Sequence, residues 1–293
     1  MLALTWSASR AAGPAKLKVL ATTLPVYSLA ATVAGDTAEV RNLLPPGVEP
    51  HDYQLSSRQV RMLGEAQIVL ISGLGLESWM EGFLQRDEVK RKVSAVSSGM
   101  EGEAIRGVTP LLGLVRTEEL GTPNPHFWLD PTLAARGVTN ILRAFAQADP
   151  ENAATYATNA ARLVGQLEEL DADYRRGLGP VTNRPFVTTH DSFAYLARRY
   201  HLKLAGVLEI VPDVEPSLRY LDQLSAMIRR EKAGVIFVEP RSPSKLAEQL
   251  CKDLGIASRE LDSIETGPLT ATAYLDAMRS NLRSLKEGLS GKP

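Results

Sequence analysis

Along most of this chain, short and nearly uninterrupted apolar runs alternate with longer stretches whose apolar residues recur every three or four positions. That alternation limits the fold more than any other feature. A strand that is apolar on both faces must be covered on both sides, and intervening amphipathic helices supply the cover, so the pattern indicates parallel sheets with helices packed against them. In the first half it predicts strands over Lys18–Thr22, Ala38–Leu44 and Gln67–Ser72, with helices over Val26–Val33 and Ser57–Gly64. In the second half it predicts strands over Arg184–Thr189, Leu204–Ile210, Gly234–Val238 and Ser258–Leu261. The helices there follow at Ser192–Tyr200, Pro216–Glu231, Pro243–Leu254 and Ala271–Leu289.

The two halves are separated by one long helical pattern. Asp149-Pro150 offers a cap and a first-turn proline, and Ala153, Tyr156, Ala160, Leu163, Leu167, Leu170 and Tyr174 form a single apolar ladder before Gly177-Leu178-Gly179-Pro180 stops it. At 1.5 Å per residue such a helix runs roughly 40 Å, enough to cross a two-lobed protein. The fold class is therefore α/β, with two open parallel-sheet lobes joined by a long α-helix. A chain of 293 residues, 44% of them hydrophobic, can fill two cores. The expected boundaries are a residual signal or disordered tail at 1–15, an N-terminal lobe at 16–148, the linking helix at 149–179 and a C-terminal lobe at 180–293. A lone helix is a stiffer connection than paired extended strands, so wide hinge closure is not expected.

Several function classes fall away on composition. A formal net charge of −1 and no block of like charges provide no field for nucleic acid or anionic lipid. The single cysteine, Cys251, excludes an intramolecular disulfide and any multi-cysteine zinc cluster, and its place on the stripe Leu246, Ala247, Leu250, Leu254 makes it a buried structural thiol. The small-residue-rich start, with Ser7-Ala8-Ser9 as a cleavage site, reads as the end of a secretory signal, or else as a disordered tail. No cysteine near it offers a lipid anchor, and no later run reaches the length of a membrane span. The glycines of Ser72-Gly73-Leu74-Gly75-Leu76-Glu77-Ser78-Trp79 lack both the phosphate-loop ending and the dinucleotide pattern, which leaves a tight strand-to-helix turn.

Three of the four histidines occupy strand ends or loop turns. His51 lies in Pro45-Pro46-Gly47-Val48-Glu49-Pro50-His51, His126 in Asn124-Pro125-His126-Phe127-Trp128-Leu129-Asp130-Pro131, and His190 directly after the strand ending at Thr189. In open α/β lobes, ligands bind outside the carboxyl ends of the strands. His190 and Asp262, which follows the strand ending at Leu261, can therefore share one edge of the second lobe, with His51 and His126 facing them from the first. Three imidazoles and a carboxylate suit Zn²⁺ at about 2.0–2.2 Å in a tetrahedron. Each residue alone has an ordinary reading, since a loop histidine is usually solvated and Asp262 could be a turn residue or helix cap. Asp130 reads as an N-cap and Asp191 as a cap or a group supporting a ligand. His201 reads as a surface residue. Glu239, closing a strand in Val238-Glu239-Pro240, reads as an acceptor behind the ligands.

The ordered set Pro50-His51-Asp52-Tyr53, Gly73-Leu74-Gly75-Leu76-Glu77-Ser78-Trp79, Pro125-His126-Phe127-Trp128-Leu129-Asp130-Pro131, Thr189-His190-Asp191-Ser192-Phe193-Ala194-Tyr195, Val238-Glu239-Pro240 and Leu261-Asp262 resembles the ZnuA/TroA-like, or cluster A-I, solute-binding proteins of bacterial ABC importers. The resemblance runs from about Lys16 to Leu289. It implies two similar lobes with a metal ion in the cleft between them, and it places the family's four ligand positions on His51, His126, His190 and Asp262. Histidine at the third position is typical of zinc-type members, glutamate of manganese-type ones. The stretch Val93–Pro123 lacks the histidine-rich loop of many zinc members, so Mn²⁺ or iron stays open beside Zn²⁺.

The function implied is an extracytoplasmic, periplasmic receptor that captures a divalent ion and hands it to an ABC transporter permease, with no nucleic-acid partner and a monomeric state. The ion is bound ligand, and no catalytic residue is required. The rival is a zinc hydrolase with Glu239 or Asp191 as general base, against which stands the missing HExxH motif. A surface adhesin is a third reading, and no residue pattern supports it directly.

Overall fold

The computed structural model describes residues 16–51, 53–106, 123–209, 216–241 and 244–291. The signal expected at 1–15 therefore lies outside the described residues, as do Asp52, Ile210, Pro243 and most of the histidine-free loop.

Two four-stranded, all-parallel sheets form the frame. The first runs in the order β2 (Ala38–Asn42), β1 (Leu17–Ala21), β3 (Ile68–Ile71), β4 (Val93–Ala95). The second runs in the order β6 (Lys203–Glu209), β5 (Pro185–His190), β7 (Val235–Val238), β8 (Ala257–Glu260). The two halves thus repeat one topology, and in each the strand order reverses beside the first strand, opening a crevice at the carboxyl ends.

The helices complete the layers: α1 (Leu24–Ala34), α2 (Ser57–Glu65), the single turns α3 (Glu81–Leu84) and α4 (Asp87–Lys90), α5 (Pro131–Ala148), α6 (Ala153–Leu178), α7 (Ala194–Arg199), α8 (Leu218–Glu231), α9 (Lys245–Leu254) and α10 (Ala273–Leu289). Four of them, α2, α5, α8 and α9, begin on a side-chain cap. Ser56 and Gln59 make a reciprocal capping box on α2, Ser217 and Ser244 accept from Tyr220 N and Ala247 N, and Asp130 accepts from Thr132 N ahead of Pro131. Pro150 does not open the long helix. It sits in a 3₁₀ turn over Pro150–Asn152, and α6 starts at Ala153, while Asp149 accepts from Tyr156 Oη and Asn152 Nδ2.

Strand parity divides the apolar residues between an outer and an inner layer. On the outer side, Leu20 and Val69 pack against Leu63 of α2, while Val187, Leu208 and Ile236 pack against Tyr220 and Leu224 of α8 and Ala247 and Leu250 of α9. On the inner side, Val19, Ala21 and Leu70 of the first sheet and Phe186, Val235 and Phe237 of the second belong to one continuous core. The ladder of α6, from Tyr156 through Leu163, Leu167 and Leu170 to Tyr174 and Leu178, lies in that same core with α1, α5 and α10. Each fully buried leucine of the ladder contributes roughly 1.5–3 kcal/mol, and those contributions stabilise both halves at once.

Polar contacts reinforce the seam between the halves. Ser28 and Thr32 of α1 donate to the Ala271 carbonyl at 2.9 and 2.8 Å, Tyr274 Oη donates to Trp128 O at 2.6 Å, and Trp128 Nε1 donates to Ser263 O at 2.8 Å. No helix among the described residues is long and apolar enough to cross a membrane.

Candidate metal centre

Four side chains converge in the cleft at the carboxyl ends of the two sheets: His51, His126, His190 and Glu265. They arrive on the segments that follow β2, β4, β5 and β8, two from each half.

The His51 loop is held by the glycine-rich turn after β3. Gly73, Leu74 and Gly75 all have positive φ (85°, 55° and 87°), a run that glycine makes accessible at its two ends. The turn is drawn tight by the buried Glu77 carboxylate, which accepts from Ser72 N, Gly73 N and Thr22 Oγ1 at 2.7, 3.0 and 2.7 Å. Burial nevertheless pushes the Glu77 carboxyl up, with those hydrogen bonds opposing it. The turn delivers Trp79, whose Nε1 donates to Pro50 O at 2.7 Å and whose ring meets Tyr53 edge-on. Both flanks of His51 are thereby anchored.

His126 is 2% exposed and stands at the start of a 3₁₀ turn over Phe127–Leu129. Its Nδ1 is 2.8 Å from Asn124 Oδ1. An amide oxygen only accepts, so Nδ1 carries the proton and Nε2 presents its lone pair to the cleft. His190 is the last residue of β5.

Asp262 does not join them. Its Oδ1 accepts from Ile264 N at 2.8 Å and its Oδ2 pairs with Arg241 at 2.5 Å. That local turn, with Ile264 at φ 68°, reverses the chain so that the carboxylate three residues further on enters the cleft. Glu265 is 5% exposed, and its Oε1 lies 2.8 Å from His51 Nε2 and 3.1 Å from His126 Nε2, with Oε2 3.5 Å from His190 Nε2. Sequence reasoning passed over Glu265 because Asp262 follows the strand more closely. The available signal was a second acid in the segment Leu261-Asp262-Ser263-Ile264-Glu265, ahead of Gly267-Pro268.

The separations would suit a tetrahedral coordination shell. Two ligands bound at 2.0–2.1 Å to a tetrahedral ion stand about 3.3–3.4 Å apart. His126 Nε2 is 3.2 Å from His51 Nε2 and 3.1 Å from His190 Nε2, and the carboxylate distances above bracket the same value. Electrostatics favour the ligating forms of His126, His190 and Glu265. Burial lowers His126, with Glu265 only partly opposing, and lowers His190 to about 3, so both are neutral at pH 7. His51 is also desolvated, but Glu265 and Glu49 overcome that and raise it. Glu265 pays the burial penalty too, yet the surrounding imidazoles hold it well below the ordinary carboxyl range.

Behind the cluster, Glu239 Oε2 accepts from Ser263 N and Oγ, both at 3.1 Å, while Oε1 is buried with no hydrogen-bond partner among the described residues. Burial, and then the charge of Glu265, push the Glu239 carboxyl well above its usual range. Asp130 caps α5, and His201 is exposed with φ 54°. Asp191 is buried and its carbonyl accepts from Asn124 Nδ2. Cys251 is buried, with Sγ 3.5 Å from Ala257 O.

Paired parallel-sheet lobes around a nitrogen-rich cluster define a two-lobed α/β protein with a candidate metal site in its cleft. The model of the family described as ZnuA, zinc-uptake complex component A periplasmic, matches residues 19–288, and the chain belongs to that family. Members of this family are metal-binding components of ABC importers and not enzymes. The zinc-binding lipoprotein AdcA of Streptococcus pneumoniae (strain ATCC BAA-255 / R6) is 31% identical over 279 residues, covering 93% of this chain and 56% of that protein. The chain thus spans about half the length of that relative. The high-affinity zinc uptake system protein ZnuA of Bacillus subtilis (strain 168) is 28% identical over 292 residues, covering 94% and 88%. The solved structure of the solute-binding protein FpvC of Pseudomonas aeruginosa in complex with Mn²⁺ superposes with a TM-score of 0.82 at 26% identity, covering 94% of this chain and 99% of that one.

Proposed function

We propose that the chain captures one divalent transition-metal ion, zinc, outside the cytoplasmic membrane and delivers it to the permease of an ABC importer. The ion is held by His51, His126, His190 and Glu265, with Glu265 in the place that sequence reasoning gave to Asp262. The observation that carries this reading is the set of five Nε2–Nε2 and Nε2–carboxylate separations between 2.8 and 3.5 Å, a shell of tetrahedral dimensions among buried and half-buried groups. Three imidazoles favour zinc over manganese, both by ligand softness and by the divalent stability order. Four protein ligands close the tetrahedron and leave no position for a reactive water, as capture and release require.

All four ligands come from one chain, which supports a monomeric receptor. The functional segments are the lobes at 16–148 and 180–293 with the helix at 149–179 between them. Membership of a zinc-uptake family supports the permease partner and the extracytoplasmic setting. The test is metal content after purification without chelator, followed by direct competition. One zinc per chain and displacement of Mn²⁺ by equimolar Zn²⁺ are expected, whereas preference for Mn²⁺ would overturn the zinc assignment.

A further inference from the structure

We infer that Asn124 is a positioning residue that fixes which nitrogen of His126 carries the proton while tying the chain beside His190 to the opposite half, an inference that rests on the metal-site reading above. Asn124 is 7% exposed, and its side chain is used at both ends. Nδ2 donates to the Asp191 carbonyl at 2.7 Å, one residue beyond His190. Oδ1 accepts from His126 N at 3.0 Å and from His126 Nδ1 at 2.8 Å.

The amide orientation follows from its partners. A backbone carbonyl cannot donate, so the NH₂ end must face Asp191 and the oxygen must face His126. The imidazole then keeps a proton on Nδ1, while Nε2 stands 3.2 and 3.1 Å from the nitrogens of His51 and His190 and 3.1 Å from Glu265 Oε1, an acceptor that competes for a proton on Nε2 in the metal-free protein. The main chain of Asn124 is held as firmly, with N donating to Ile105 O at 2.8 Å and O accepting from Tyr195 Oη at 2.8 Å. One residue thus sets the tautomer of a ligand from the first half and the position of the segment bearing a ligand from the second. The group orienting His126 is a neutral amide. A carboxylate there would keep the acceptor, make the imidazole more basic, and lose the donor to Asp191.

The experiment uses the full chain, ¹⁵N-labelled and metal-free at pH 7.5, with long-range proton–nitrogen correlation of the histidine rings and a zinc titration of the same samples. In the wild type, His126 should keep its Nδ1 proton, the bond to Asn124 at 2.8 Å outweighing the pull of Glu265 on Nε2 at 3.1 Å. Asn124→Leu, close in size but without polar groups, should shift His126 toward Nε2–H and weaken zinc binding roughly 10–100-fold. Asn124→Asp should retain the Nδ1–H tautomer, a result that a merely space-filling role does not require and that stays readable if the leucine variant fails to fold. An Nε2–H tautomer in the wild type, loss of the Nδ1–H form in Asn124→Asp, or an Asn124→Leu protein with unchanged tautomer and affinity would each overturn the inference. The tautomer is read without metal, so a wild type that binds no zinc would sink the metal reading and leave this one still decided by its own signal.

Discussion

Tyr274→Phe removes one oxygen from the seam between the two halves. The ring is 1% exposed, its hydroxyl donates to the Trp128 carbonyl at 2.6 Å, and Trp128 is itself 1% exposed. Water has no route to replace the donor, so the carbonyl is left unsatisfied at a cost of about 1–3 kcal/mol. With roughly 2.1 cal/mol/K of unfolding entropy per residue, a chain of this length unfolds with about 0.6 kcal/mol/K. A loss near 2 kcal/mol then lowers Tm by roughly 3 °C. The inner core runs without interruption from Val19 and Leu70 through the α6 ladder to Phe186 and Phe237, so the metal-free protein should show one calorimetric transition that moves as a unit. Two resolved transitions with only one displaced, or a shift below about 1 °C, would refute the single dry core.

The linking helix contributes a second, pH-dependent test. Asp171 is buried yet its carboxyl is held below its ordinary range, because the paired hydrogen bonds and charge of Arg199, at 3.0 and 3.0 Å, with Tyr200 and Arg175, overcome the burial that opposes them. A depressed carboxyl gives stability that is present above its unfolded value near 3.9 and lost as pH falls through the folded value. Asp171→Asn should therefore cost roughly 1–3 kcal/mol at pH 7, with the Tm gap to wild type closing below about pH 4. A gap that persists in acid would contradict the ion-pair account. The same continuous core predicts that spin-label distances between the lobes change by no more than about 2 Å on zinc binding. A closure of many ångströms would defeat the rigid-helix argument.

The strands were legible because parallel strands buried on both faces leave apolar runs: Ile68, Val69 and Leu70 of β3 are all at most 4% exposed. β4 escaped notice since Val93-Ser94-Ala95 is a three-residue, half-buried edge strand with no run to see. The 18-residue α5 was visible only through its Asp130-Pro131 cap. The three histidines could be picked out because each ends a strand or turns a loop. The carboxylate was not, because the choice between Asp262 and Glu265 depends on a turn that the Ile264 backbone makes with positive φ, and on Arg241 reaching across from the end of β7. Neither contact has a local signature. Asn124 was equally hidden, since its role depends on Asp191, distant in sequence and brought close only by the fold.

The central claim is that Glu265, with the three histidines, completes the zinc site. Zinc dissociation constants of wild type, Glu265→Gln and Asp262→Asn, measured by chelator competition with circular dichroism as the folding control, test it most directly. Glu265→Gln should weaken zinc at least roughly 100-fold, whereas Asp262→Asn, which disturbs only the pair with Arg241, should stay within about tenfold of wild type. The reverse order, with Asp262→Asn abolishing binding while Glu265→Gln leaves it intact, would contradict the account.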